Sequence, residues 1–263
     1  MSTAPIGIFD SGVGGLTVAR AIRARLPDEG ILYLGDTARL PYGTKSARTV
    51  ARYTQRNVAF LAERGVKAIV IACNSASATA LDELDTHGLP LWGVIEPGAR
   101  AAARVSRGRV GGIATEATIR AGIYRRALER EAPQLEIHTR ACPLFVPLVE
   151  EGWEADGIAE AVARRYLTPL LRHDIDTLVL GCTHYPLLST VIARVVGRDV
   201  TLVDSAESVA GEVAAGLAQL GLTADGDGDG HRVLVTDDSP PFARLARRIL
   251  GEDAHLEAVD LTA

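Results

Sequence analysis

Two short stretches put thiols where chemistry could use them. In IVIACNSASATA (Ile69–Ala80) an apolar, β-branched run ends at Cys73 and gives way to Asn74 and Ser75. In TLVLGCTHYP (Thr177–Pro186) a similar run ends at Cys182, followed by Thr183 and His184. A lone cysteine closing an apolar run is ordinarily a small core residue. Here each is followed by hydrogen-bonding groups at the point where a helix should begin. Free N–H groups and a positive dipole there favour a thiolate or hold a carboxylate. Two such thiols, each at the mouth of a strand, read as a pair with a shared task. The rival is a Cys–His hydrolase with His184 as activator, which leaves one thiol without a task. Cys142, in RACPLFVPLVEEG, lacks the polar run and reads as structural.

Other polar residues fit the same kind of site. FDSGVGG resembles a phosphate loop but lacks the lysine and the glycine spacing of one, and Asp10 would repel phosphate. Asp10 instead suits an ammonium group or a neighbouring acid, with Ser11 beside it. In GDTARLPYG the turn formers Pro41 and Gly43 place Tyr42 and the Gly43 amide to line a cleft. No metal is expected, because Cys182 and His184 lack further ligands at zinc spacing. The acidic stretch at 224–232 has Thr236 where a calcium loop needs glutamate, so it reads as a surface loop.

These residues need strands to carry them. Nine apolar runs, PIGIFD, ILYLGD, KAIVIAC, LWGVIEP, RVGGIAT, LEIHTRAC, DTLVLGC, VTLVDS and HRVLVTD, alternate with helical patterns such as LTVARAIRARL. That alternation predicts an α/β protein of parallel sheets flanked by helices, with ligands at the carboxyl ends of strands. Weak internal similarity pairs GIFDSGVGGLTVARAI with GIATEATIRAGIYRRA, KAIVIACNS with DTLVLGCTH, and GVIEP with LVDSA. The spacing predicts two pseudo-symmetric lobes with a cleft between them, each lobe offering one cysteine. The helical stretch after Glu207, with the last strand and helix, would return to the first lobe. A net charge of −5 disfavours nucleic acid as the main partner. Three cysteines without a pairing pattern, no run long enough to span a bilayer and no signal-like start predict a cytoplasmic protein without membrane attachment.

FDSGVGGLTV, GDTARLPYG, ACNSASA, ACPLFVPLVEEG and LGCTHYPLL, in that order, resemble the glutamate racemases of the aspartate/glutamate racemase superfamily. The resemblance runs from about Gly7 to about Gly211, and it implies two α/β lobes, residues 1–97 with 207–263 and residues 98–206. It implies cofactor-independent, two-base racemisation of glutamate that supplies D-glutamate for bacterial peptidoglycan. Carried over by motif, Cys73 acts on D-glutamate and Cys182 on L-glutamate. Asp10 assists the first and His184 the second, with Asp36 and Glu150 as weaker carry-overs. Ser11, Tyr42, Gly43, Asn74, Ser75, Thr183 and His184 match substrate-contacting positions. Ser75 stands where many relatives carry threonine, and Ala114 where many carry glycine. The only lysines are Lys45 and Lys67, neither in a pyridoxal-phosphate context, so the expected cofactor is none. A homodimer is the expected assembly. The alternatives are an aspartate racemase of the same superfamily, or a regulatory binding protein, since some relatives inhibit DNA gyrase.

Overall fold

The structure is a computed structural model that describes the chain except residues 1, 81–83, 225, 227–229, 252–254 and 262–263. Four residues of the acidic stretch therefore lie outside the described residues. In chain order the elements begin β1 (Ile6–Asp10), α1 (Leu16–Arg25), β2 (Ile31–Gly35), α2 (Ala47–Glu63), β3 (Ala68–Ile71), α3 (Asn74–Ala80), β4 (Leu91–Gly93) and α4 (Ile95–Val105). Then come β5 (Arg109–Ala114), α5 (Glu116–Ala121), α6 (Ile123–Glu131), β6 (Glu136–Ala141), α7 (Phe145–Glu150), α8 (Gly157–Leu171), β7 (Thr177–Gly181), α9 (Ser189–Val196) and β8 (Thr201–Asp204). The chain closes with α10 (Ser205–Leu220), β9 (His231–Val235), α11 (Pro240–Leu250) and β10 (Leu256–Ala258).

Two sheets form, ordered β10-β9-β2-β1-β3-β4 and β6-β5-β7-β8, and every strand pair among the described residues is parallel. Their central orders correspond strand for strand: β2-β1-β3-β4 against β6-β5-β7-β8. The internal similarity of the sequence is thus a repeated topology. The nine expected strands are present. β10 was not anticipated, because its three residues, LEA, are too short to show a period.

β1, β2, β3 and β7 are buried along their whole lengths, as parallel strands covered by helices on both faces must be. Alternate residues still serve different faces. Ile6, Ile8 and Val70 join one core, while Phe9, Ile69 and Ile71 pack with Val58 and Leu61 of α2 in another. The first of these cores continues through Ala99 and Ala102 of α4 and Val209 and Val213 of α10 into Val110, Leu178 and Leu180 of the second sheet. The expected lobe boundaries at 97/98 and 206/207 fall inside α4 and in the first turn of α10, so both crossings run through helices.

β7, which delivers Cys182, is anchored at its start by Asp176. This carboxylate accepts hydrogen bonds from Ser106 Oγ (2.8 Å), Thr177 Oγ1 (2.7 Å) and the amides of Arg107 (3.1 Å) and Arg109 (2.9 Å). Burial pushes its pKa up, but these donors outweigh burial and leave it below the ordinary value. A depressed carboxyl pKa stabilises the fold above the unfolded value of about 3.9 and loses that contribution as pH falls through the folded pKa. We expect Asp176→Ala to cost about 2–3 kcal/mol in urea unfolding at pH 7. The gap to the parent should narrow below about pH 4; a constant gap would contradict the assignment.

Candidate active site

Three strand ends converge on one cavity of about 170 Å³. β1 delivers Asp10 and Ser11, β3 delivers Cys73, Asn74 and Ser75, and β7 delivers Cys182, Thr183 and His184; Tyr42 and Gly43 complete the wall. Apart from the weaker carry-overs Asp36 and Glu150, all ten residues singled out from the sequence therefore line one space. Both thiols are free and nearly buried, with exposures of 5% for Cys73 and 7% for Cys182.

The surroundings of the two thiols differ. α3 starts at Asn74, directly after Cys73, as expected. The Cys73 thiol donates to Ser11 Oγ at 3.6 Å. Burial, with the Asp10 charge nearby, pushes its pKa up to about 12 against the opposing pull of the Ala76 amide and Ser11. Cys182 does not sit at an α-helix start. It precedes a 3₁₀ turn over Tyr185–Leu188, closed by the Tyr185 amide on the Cys182 carbonyl (3.0 Å) and the Leu187 amide on the His184 carbonyl (3.1 Å). Pro186 has no N–H to give an α-helical bond at this point.

In place of a helix dipole, Cys182 has an imidazole. His184 Nδ1 lies 3.9 Å from its Sγ. On the other side of the ring, Nε2 is 3.3 Å from Glu150 Oε1, within ion-pair distance but not aligned for a hydrogen bond. Burial pulls the His184 pKa down, but the interactions with Cys182 and Glu150 prevail and hold it at about 10. An imidazolium so placed is a counter-charge for a thiolate.

Asp10 links the halves of the cavity. Its Oδ2 accepts the Gly12 amide (2.9 Å) and its Oδ1 the Thr183 hydroxyl (3.4 Å). Burial raises its pKa, while His184 and the Gly12 and Gly15 amides pull it back. The GVGG run explains how close the approach is. A Cβ on Gly14 would lie 2.5 Å from His184 Nδ1, and one on Gly15 would lie 2.4 Å from Asp10 Cβ. These glycines let the head of α1 fit between Asp10 and His184. Asn74 is oriented too: its Oδ1 accepts the Tyr124 hydroxyl at 2.6 Å, while its buried Nδ2 has no partner within the protein.

Residues 16–213 match the model of the Asp/Glu/Hydantoin racemase family. The chain belongs to that family. It is 53% identical over 250 residues, 94% of this chain and 92% of the relative, to a glutamate racemase from Geobacter metallireducens. Solved structures give the same picture. A glutamate racemase isoform from Bacillus anthracis superposes with a TM-score of 0.93 at 41% identity, covering 98% of both chains. One from Francisella tularensis, in complex with D-glutamate, has a TM-score of 0.93 at 37% identity and covers 99% of both.

The two positions expected to depart from the family pattern, Ser75 and Ala114, are packed locally. Ser75 Oγ is 3.0 Å from Thr115 Oγ1 and 3.3 Å from Thr118 Oγ1, so the retained hydroxyl ties α3 to the head of α5. Ala114 is buried against Gly181, where an added Cβ would lie 3.1 Å from its own. The weaker carry-overs separate. Glu150 lines the cavity, whereas Asp36 lies outside its lining, accepting the Tyr42 hydroxyl and Arg39 Nε (2.8 Å). The phenol end of Tyr42 is thereby engaged away from the cavity.

Sequence reasoning missed Thr115 and the apolar wall of Pro143, Val146 and Pro147. That wall follows Cys142, which is itself fully buried and not part of the lining. One further group among the described residues has metal-ligand character: Glu136, His138 and His173, outside the cavity lining. Its two imidazoles are stacked 3.7 Å apart at 15°, so their in-plane lone pairs run side by side and do not converge on one ion.

Proposed function

We propose that this member of the family interconverts L- and D-glutamate at Cα, with Cys73 and Cys182 as acid and base on opposite faces. The observation that supports this best is two free thiols from two corresponding strands, β3 and β7, lining one cavity. The lobes expected from the sequence, 1–97 with 207–263 and 98–206, would supply one thiol each. The relatives named above are glutamate racemases, and one was solved with D-glutamate. The role we infer is provision of D-glutamate for peptidoglycan, by a homodimer in the reducing cytoplasm. No helix among the described residues is long and apolar enough to cross a membrane.

The electrostatics supply an order of events. With its pKa near 12, Cys73 rests as a thiol and is ready to give a proton. Cys182, beside the imidazolium of His184, is the partner suited to take one. On this reading Cys182 removes the proton of L-glutamate and Cys73 delivers one to the other face. The reverse direction starts from the exchanged protonation state. The substrate carboxylate would sit on the Asn74 side-chain amide and the backbone amides beside Ser11, Gly43 and Thr183. Those donors also stabilise negative charge as the Cα proton leaves. Asp10 is placed to receive the α-ammonium.

Neither lysine lines the cavity: Lys67 is tied to Glu29 at 2.5 Å and to the Ser2 carbonyl at 2.9 Å. The reading therefore uses no pyridoxal phosphate and no metal. Incubation of the purified protein with L-glutamate, without added cofactor and after EDTA and hydroxylamine treatment, should bring the optical rotation to zero. A persistent rotation would overturn the proposal, and preferential turnover of aspartate would redirect it.

The pH profile carries a second expectation. Below about pH 10 His184 is an imidazolium; above it the counter-charge beside Cys182 disappears. The kcat/KM for L-glutamate should therefore have an alkaline limb near that value. Glu150→Gln removes one group holding the charge, so His184 releases its proton earlier and the limb moves to lower pH. A shift of about one unit corresponds to about 1.4 kcal/mol of lost pairing. A limb that stays in place would contradict this role for Glu150.

A further inference from the structure

Tyr124 belongs to α6 of the second sheet's half, yet its hydroxyl ends on the first half, 2.6 Å from Asn74 Oδ1. The same ring passes beside the other thiol's strand. A Cβ on Gly181, the residue before Cys182, would come 2.8 Å from Tyr124 Cε2. A Cβ on Gly98 of α4 would come 3.5 Å from the phenol oxygen and 3.2 Å from Ser205 Cβ. Gly181 thus leaves room for the aromatic ring beside the strand that carries Cys182, while a Cβ on Gly98 would make only ordinary contact with its phenol end. The residue is 4% exposed and does not line the cavity. Burial holds its pKa well above the ordinary value, so it remains a proton donor at physiological pH.

A phenol that donates to Oδ1 fixes which end of the carboxamide is free. The amide nitrogen of Asn74, a residue of the cavity lining, is left buried and without a protein partner. It offers N–H groups to an anionic ligand group, whereas a flipped amide would present an oxygen and repel a carboxylate. We propose that Tyr124 is a positioning residue that locks the Asn74 amide with its N–H groups toward the substrate carboxylate, so that carboxylate binding depends on contact between the two halves of the molecule. This rests on the glutamate reading above and adds to it a residue that acts only through Asn74.

The test is Tyr124→Phe, which keeps the ring and removes only the donor. A thermal melt confirms that the variant is folded. In the parent background kcat/KM for glutamate should fall about tenfold or more, as expected for a buried hydrogen bond to a group that holds a charge. In an Asn74→Ala background the same substitution should change kcat/KM less than about twofold, because the group it acts through is gone. An equal loss in both backgrounds, or no loss in the parent, overturns the proposal. A second readout needs no substrate. The chain has only two asparagines, Asn57 and Asn74, so ¹⁵N-asparagine labelling gives two side-chain amide pairs. Tyr124→Phe should shift or broaden the Asn74 pair and leave Asn57 in place; an unmoved Asn74 pair overturns the positioning role. Failure of the parent protein to turn over glutamate would instead defeat the substrate reading, with the amide signals still deciding whether Tyr124 orients Asn74.

Discussion

Cys73→Ala and Cys182→Ala should each abolish racemisation in both directions while leaving the fold intact. If the thiols serve opposite faces of Cα, each direction needs one as base and the other as acid, and microscopic reversibility only exchanges the roles. Losing positioned proton transfer costs about 10²–10⁴-fold, so each variant should fall at least a hundredfold below the parent. Both sites are small and nearly buried, and alanine is tolerated there by volume, so urea midpoints should change modestly. A variant that still racemises at more than about a tenth of the parent rate, a barrier change under about 1.4 kcal/mol, defeats the two-base account. Survival of only the Cys73 variant would favour a Cys182–His184 mechanism instead.

The second large effect is expected at a residue with no side chain of its own, packed against the His184 ring. Gly14→Ala puts a methyl group 2.5 Å from His184 Nδ1 and 2.8 Å from Thr183 Oγ1, distances that real Cβ contacts do not reach. Something must move, and His184 is the group whose position beside Cys182 matters. A displacement of about 1 Å in such a constellation costs about a hundredfold in rate. The accompanying loss of stability should stay within the roughly 1–3 kcal/mol typical of overpacking. Kinetics beside urea unfolding separate the two, and near-parental kcat/KM would show that the ring is not held where the mechanism needs it.

The strands and the two thiols were legible because parallel, doubly covered strands write themselves as unbroken apolar runs, and a cysteine before a polar run marks where each run stops. The doubled topology was legible because the strand order repeats, so similar segments recur at nearly constant spacing. Less could be read where function depends on contact between distant segments. The GVGG run has meaning only once α1 meets His184, and Tyr124 only once α6 meets Asn74. Thr115 carries no local signal apart from capping α5, where its hydroxyl also meets the Thr118 amide. The apolar wall after Cys142 looked like core because Pro143, Val146 and Pro147 are core-like residues that here face a cavity. The expectation of a helix start after Cys182 failed because the chain there makes a 3₁₀ turn over Tyr185–Leu188 before α9 begins at Ser189, and the imidazole of His184 stands where the helix dipole was expected.

The origin of the new Cα proton tests the central claim most directly. Initial turnover of L-glutamate in heavy water should give D-glutamate carrying one deuterium at Cα, while unreacted L-glutamate remains protiated. That follows if the proton delivered by Cys73 comes from a thiol in exchange with solvent and the one removed by Cys182 stays on the other face. D-Glutamate that keeps its original protium, or deuterium entering recovered L-glutamate as fast as product forms, would mean that a single base serves both faces, and the two-thiol account would fall.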